Sequence, residues 1–541
     1  MNSVLIFAFL LWQAPVEEPK QPVVEGRVVE QGSGVAVAKA VVTFARMGSA
    51  DMNPPKVETD AEGAFVAENL KPGSYLVLAE KTGYSRRAYG AKNDGALRGV
   101  PVRVEMNERR KLEIELPKQG IVTGKVTDAD GEPVQGVVVF GMRPTYQRGK
   151  KSWAPVGVGQ MPSMSSDTGE YRLTGLPAGQ FRVCAMPMSV ITGAGLTAAP
   201  AKKGPSGKTE SAVVTCYPNE PEVERGAPVE VRDGMEVPGI EIRLARRVVA
   251  TVKGQITGLP DEVPQMLALS LSRPGAGAAG MMFTNRAIST GGEGKFEFRN
   301  VQPGQYVLHT LPMGLGAVSL GLKVALEVTE DEVQEVLAPA LMPFTVEGRV
   351  QVEGRTETPA LAGAQVMLTA DDDIYQSVPM GPLREGGLFR LAGVTADRYR
   401  VAMTGLPEGL YLKSAQVGSK SWDEGVVEIG AAGQGLTLIL GDDAATVSGT
   451  VRDERGEPAG GAFVVLLDPA QRHGRSHTVR ATEDGVYRIT GVEPGEYRLF
   501  AAGDVDSGGV DDAEYVKPWM SRAVSLKVGA KERPASDLRL Q

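Results

Sequence analysis

The chain has 541 residues and a formal net charge of −8, from 58 Lys and Arg against 66 Asp and Glu. Its basic residues are interspersed with acidic ones, which excludes the concentrated footprint that phosphate binding needs, so no nucleic acid partner is expected. A total of 67 glycines beside 6% aromatic residues suits turn-rich β-modules better than a helical enzyme.

The chain opens with MNSVLIFAFLLWQAPVEEPKQP, apolar from Val4 to Trp12. That run is too short to cross a bilayer, which takes about 20 apolar residues. It reads as the hydrophobic region of a secretory signal, followed by a Pro/Glu linker, over residues 1–22. No basic residue precedes it and no clear small-x-small site stands before Pro15; the competing reading is an ordinary terminus with an apolar run. The expectation is export to the periplasm, the outer envelope or the extracellular space, with no membrane span in the mature chain.

A phrase then recurs, first as TDAEGAFVAENLKPGSYLVLAEKTGY at 59–84. It returns as DTGEYRLTGLPAGQFRVCA from Asp167, EGKFEFRNVQPGQYVLHT from Glu293, GGLFRLAGVTADRYRVAM from Gly386 and DGVYRITGVEPGEYRLFA from Asp484. The pairs Phe65/Tyr75, Tyr171/Phe181, Phe296/Tyr306, Phe389/Tyr399 and Tyr487/Tyr497 all keep a ten-residue interval. Alternation around each aromatic points every second side chain to one face, predicting two strands and a tight turn. Pro-Gly supplies the turn in three copies; Thr395-Ala396-Asp397 replaces it in the fourth, which is expected to be the most altered. A buried ring contributes roughly 2–3 kcal/mol, so all ten aromatics are assigned to cores and none to a ligand.

A glycine-centred strand opens each larger unit, at Gly26, Gly124, Gly254, Gly348 and Gly449, separated by 98, 130, 94 and 101 residues. Such periods suit whole domains that each bury a core, not a solenoid. The predicted fold class is all-β, a tandem array of five antiparallel β-sandwiches over 23–118, 119–246, 247–343, 344–443 and 444–541. The second unit carries loop insertions and both cysteines. Cys184 falls out of step with Phe181, Val183 and Ala185 and so faces away from the core. Cys216 follows the Gly/Ala/Pro/Lys-rich stretch 193–210, and a Cys184–Cys216 disulfide is expected if the chain is exported; the alternative is two unpaired small residues.

VTGKVTDADGEPVQGVVVF (122–140) and VSGTVRDERGEPAGGAFVVLL (447–467), each followed by D-x-G-x-Tyr and the Gly-x-aromatic strand, resemble the carboxypeptidase regulatory-like domain family. The resemblance runs from about residue 23 to 541, with weaker openings in units three and four. It implies a transthyretin-like β-sandwich, related in shape to carbohydrate-binding-like and Cna B-type modules. In metallocarboxypeptidases this module accompanies a zinc peptidase, which this chain has no segment to supply. Cna B-type modules can form a Lys–Asn crosslink, and VLAEKTGY (77–84) is similar to theirs. Arg46 stands where the reactive lysine belongs, so no crosslink is expected.

Other chemistry has little support in the sequence. The chain holds only His309, His473 and His477, and HGRSH (473–477) lacks a third zinc ligand nearby. The acidic stretches ADDDIY (370–375) and DVDSGGVDDAEY (504–515) read as surface loops without the ordered spacing of a calcium site. No P-loop, dinucleotide fingerprint or G-x-S-x-G elbow occurs. No cofactor or metal is expected. Trp153, Trp422 and Trp519 fall in loop-like segments outside the repeated phrase, with Tyr146, Tyr411 and Tyr515 before them. They are the candidate binding residues, for stacking on a glycan or anchoring a protein, as three separate sites on units two, four and five; the alternative is packing at each sandwich's own edge. The sequence thus points to an exported, non-enzymatic string of sandwiches that binds a glycan or protein or scaffolds at the cell envelope. A structural spacer or adhesin stalk is the rival reading, and an accessory module of a peptidase or other hydrolase system a distant third.

Overall fold

A computed structural model describes residues 22–46, 53–91, 99–147, 149–156, 163–187, 201–260, 266–274, 285–290, 293–311, 320–331, 333–356, 361, 363–372, 374, 378–422, 425–470, 472 and 474–541. The proposed signal, 1–22, therefore lies almost wholly outside the described residues. The chain falls into two compact units that part between Pro117 and Lys118. The first unit is one sandwich. The second contains the remaining four repeat units, each with two main sheets and a hydrophobic cluster of its own, the second repeat unit adding a small three-stranded sheet.

One construction rule runs through all five. The opening strand lies in the middle of one sheet, as Val23–Glu30, Gly120–Thr127, Ala250–Thr257, Phe344–Val352 and Ala445–Arg452. On one side it pairs antiparallel with the strand that carries the first aromatic. On the other it pairs parallel with a strand from near the end of the unit, such as Arg109–Leu116 or Val333–Pro339. The sheets are thus mainly antiparallel with one parallel seam, a detail that alternation cannot reveal because it reports faces and not neighbours.

The second aromatic lies in the other sheet, on Gly73–Glu80, Gly179–Met186, Gly304–Thr310, Asp397–Thr404 and Gly495–Ala502. Each of these strands pairs with the unit's second apolar strand. The two strands of the phrase therefore do not pair with each other. The turn carries the chain from one sheet to the facing one, and both rings point into the space between. All ten are buried, each pair within its own cluster.

The second ring is tyrosine in four copies, and in three of them its hydroxyl ties the crossing. Tyr75 donates to the Lys71 carbonyl at 2.7 Å, Tyr497 to Glu493 at 2.7 Å and Tyr399 to Thr395 at 2.9 Å. The fourth copy thus lacks Pro-Gly yet keeps this tie. Tyr306 in the third copy is a core ring as expected, but its hydroxyl end is arranged differently. It is buried in its cluster like the others, but among the described residues its hydroxyl makes no such tie. Instead the guanidinium carbon of exposed Arg273 lies 5.7 Å from the Tyr306 ring centroid, a cation–π contact. The register explains it: Ser272 faces Val307 across the sheet, so the next residue out, Arg273, comes up beside Tyr306.

The opening glycine stands opposite the first aromatic in every copy. A β-carbon would meet the Leu112 carbonyl oxygen at 2.1 Å from Gly26 and the Val336 oxygen at 2.2 Å from Gly254, with the facing ring also inside 3 Å in both. Only a residue without a side chain lets the ring lie across the strand while the parallel neighbour closes in.

Two sheets also bury their outer face. In sandwich five the strand Phe463–Leu467 is buried at every position, because the helix Ala513–Met520 covers the side turned away from the main core. Asp512 caps that helix by accepting from the amides of Glu514 and Tyr515. The acidic stretch 504–515 is thus a capped turn and helix start, not a plain surface loop. In sandwich two the outer face carries a small cluster of Met142, Cys184 and Cys216. The expected link between units two and three is itself a strand, Arg246–Val248, joined to the hairpin of Lys202–Lys203 and Thr209–Ala212.

Candidate ligand-binding site

The second sandwich has the most promising surface. Its larger sheet places Lys150–Val156 at an edge, beside Val138–Gln147 and then Gly179–Met186. The period of two sends Pro144, Lys151, Trp153, Gln180 and Arg182 to the outer face. With Glu224 they line an open cleft of about 460 Å³, a size within the usual range for small-ligand sites.

Trp153 is half-buried and packs against the Met142, Cys184 and Cys216 cluster. The Cys184–Cys216 disulfide joins facing residues of Gly179–Met186 and Thr215–Cys216. It braces the cleft floor from below. The Arg182 guanidinium carbon sits 5.5 Å from the Trp153 ring centroid, an attractive cation–π arrangement. The buried Nε of Arg182 has no hydrogen-bond partner among the described residues. Covered as it is, that nitrogen is not itself offered to the cleft; the guanidinium contributes its charge beside the ring. The cleft can offer an aromatic surface, an amide, two cations and one carboxylate. It has no nucleophile–base pair.

The expected binding residues lie on regular elements instead of loops, and all but Trp153 fall outside the cleft. Tyr146 is on Val138–Gln147 and Trp153 on Lys150–Val156, while Tyr515 and Trp519 belong to the helix Ala513–Met520. Tyr146 and Tyr515 are not separate sites: their ring centroids are 4.4 Å apart. Tyr515 in turn meets Trp519 edge-on at 5.3 Å, and Trp519 stacks on Phe500 at 5.6 Å. The apolar floor of the helix draws these rings inward. Burial, then the Asp512 and Asp506 carboxylates, raise the Tyr146 hydroxyl above its ordinary pKa. Tyr411 begins the strand Tyr411–Val417 and lies across from Gly441, where a β-carbon would meet its ring at 2.4 Å. Burial and then the Glu493 and Asp443 carboxylates raise its pKa. Trp422 ends the strand Lys420–Trp422, its backbone opposite Ala415.

His473 lies outside the described residues, and His477 starts the strand His477–Arg480, where burial lowers its pKa. No group of three His, Cys, Asp or Glu among the described residues is arranged to hold a metal ion. No helix among them is long and apolar enough to cross a membrane. Sequence reasoning missed Arg182, whose signal was its outward register next to Cys184, and the helix over sandwich five. The run FVVLL, apolar without alternation, carries that second signal: a strand covered on both faces.

Comparison with known proteins fits this architecture. The family model of the carboxypeptidase regulatory-like domain matches residues 23–117 and 446–534. No curated protein matches the chain. Among solved structures, the Bacillus anthracis TIE protein is 13% identical over 85% of this chain and 72% of its own, with a TM-score of 0.17. A streptococcal ancillary pilin is 14% identical over 53% of this chain and 98% of its own, at 0.17. GBS52, the minor pilin of Streptococcus agalactiae, is 13% identical over 41% of this chain and 94% of its own, at 0.22. Likenesses at such scores carry no argument about assembly or activity. The family matches are of another kind, since they fall on the repeated phrase itself: the first and fifth sandwiches match the carboxypeptidase regulatory-like domain.

Proposed function

We propose that the protein is an exported, non-enzymatic array that binds a ligand at the cell envelope, with the Trp153–Arg182 cleft of the second sandwich as its main contact. The observation that carries this reading is the Trp153 ring held beside the Arg182 guanidinium in an open cleft braced by a disulfide. Glycans and proteins both present oxygen acceptors that such a cleft fits. The two regulatory-like domains support a role without catalysis.

A glycan array together with pulldown from envelope extracts tests the reading. Binding by the intact protein that is lost on Trp153→Ala and on Arg182→Ala supports it. Absence of any binding favours the second reading, a structural spacer or adhesin stalk, for which the short connection at Arg246–Val248, locked into a sheet, is the supporting feature. Turnover of a peptide or ester substrate that one substitution abolishes would overturn both.

A further inference from the structure

The strand Val138–Gln147 outruns its neighbour. Its pairing with Gly179–Met186 stops at Met142 opposite Arg182, while its pairing with Lys150–Val156 continues to Gln147. The far half is thus a two-stranded ribbon, a form that is marginal in water on its own.

The vacated side is filled by the fifth sandwich. One carboxylate oxygen of Asp506 accepts from the Thr145 hydroxyl at 2.8 Å and the Tyr146 amide at 3.0 Å. Its other oxygen accepts from the Gly508 amide at 3.1 Å, which fixes the turn that presents it. The Gly149 amide donates to the Gly508 carbonyl at 2.7 Å. The approach is close: a β-carbon on Gly508 would meet the Tyr146 carbonyl oxygen at 2.1 Å, and one on Gly149 would meet Asp511 backbone atoms at 2.9 Å. The Tyr146–Tyr515 ring pair covers these bonds.

We infer that the 504–515 segment of the fifth sandwich is a clasp on the second, with the Asp506 carboxylate as its key, tying two sandwiches that are not consecutive in the chain. The clasp is made in cis and is reversible. It uses three hydrogen bonds between the sandwiches and one ring pair, which is small beside either core, so it opens before either sandwich unfolds. Closed, it spares the ribbon an unpaired edge; open, it exposes the Tyr146 and Tyr515 rings together. Lys151 and Trp153 are on the same ribbon, so the clasp also steadies two walls of the cleft, but its existence does not depend on a ligand.

Amide hydrogen exchange on the full chain tests it, followed at Tyr146 and Gly149. Both amides are expected to be protected in the wild type. Asp506→Ala and Thr145→Val should each speed their exchange by roughly tenfold or more, the scale of losing a hydrogen bond to a charged group, while core amides of both sandwiches hold. Asp506→Ala also loosens its own turn; Thr145→Val acts from the other side and leaves that turn intact. Equal exchange in the wild type and both variants overturns the clasp. Protection that grows with protein concentration, or a dimer that Thr145→Val dissociates, overturns its formation in cis.

Discussion

Tyr171 stands opposite Gly124 across an antiparallel ladder, and its hydroxyl donates at 2.6 Å to the Ile240 carbonyl, the oxygen that a β-carbon on Gly124 would meet at 1.9 Å. Tyr487, Gly449 and Ser536 repeat this arrangement in the fifth sandwich, with a hydroxyl-to-carbonyl distance of 2.5 Å. Phenylalanine takes the ring's place in the other three, and the glycine stays.

Adding one methyl at that glycine should therefore cost more than its size suggests. Gly124→Ala must push back the Ile240 backbone, which links the parallel strands Glu236–Val237 and Ile242–Arg243, and overpacking of this kind costs about 1–3 kcal/mol or more. Hydrogen exchange in Gly120–Thr127 is expected to accelerate, with the opening strands of sandwiches three and four unaffected. An unchanged rate would show that the seam relaxes freely.

The tyrosine hydroxyls make a smaller, separable contribution. Tyr487→Phe and Tyr497→Phe each remove one donor to a backbone carbonyl and should destabilise the fifth sandwich by about 0.5–1.5 kcal/mol. Neither leaves a cavity, since phenylalanine fills the first position in three copies and Phe181 the second in another. Tyr306→Phe, which removes no such tie, is the control and should leave the third sandwich's stability nearly unchanged. Tyr487→Ala, which does leave a cavity, should cost about 3–5 kcal/mol. Denaturant unfolding of the single and double variants measures these effects.

The disulfide spans a separation of 32 residues, for which restriction of the unfolded chain stabilises by roughly 3–4 kcal/mol. Reduction, or paired Cys184→Ser and Cys216→Ser substitution, is expected to lower the melting temperature of the second sandwich alone. It should also loosen Trp153, which packs on that bond, and so change its fluorescence. A spectrum unaltered by reduction would separate the cleft from its brace.

His309 is buried, with its Nε2 2.7 Å from the Ser272 hydroxyl. Burial lowers its pKa below the ordinary 6.5, so between the folded and unfolded values the unfolded chain binds more protons. Stability is thus complete above about pH 6.5 and falls as pH drops through that window. The third sandwich should lose stability from pH 7 to pH 5, and His309→Gln should flatten that dependence. A variant with the same pH slope would assign the loss to other groups.

The ten rings were legible because a fixed interval between aromatics, flanked by alternation, leaves little choice about which side faces in. Cys184 was legible for the converse reason, its register being opposite to that of Val183 and Ala185. The placement of the phrase's two strands in facing sheets was not, since period two fixes the buried face and is silent about neighbours. For the same reason Arg273 gave no sign that it would meet the Tyr306 ring. Tyr146 gives no local hint of Tyr515, because nothing in either segment encodes a meeting between sandwiches two and five. Trp519 read as a loop residue because its helix is short and contains Pro518, which weakens any helical pattern.

The parallel seam also decides how each sandwich answers to tension. A chain that arrives on one strand and departs on a parallel neighbour has its two ends at opposite extremes of one sheet, so a pull along the backbone slides the strands past each other and strains every rung at once. Eight facing residues share that strain in the first sandwich and seven in the third, and in the fifth the backbone bonds between Thr446–Arg452 and the segment from Glu532 to Leu540 share it. Under stretch each sandwich therefore resists by shear along this seam, not by peeling one rung at a time.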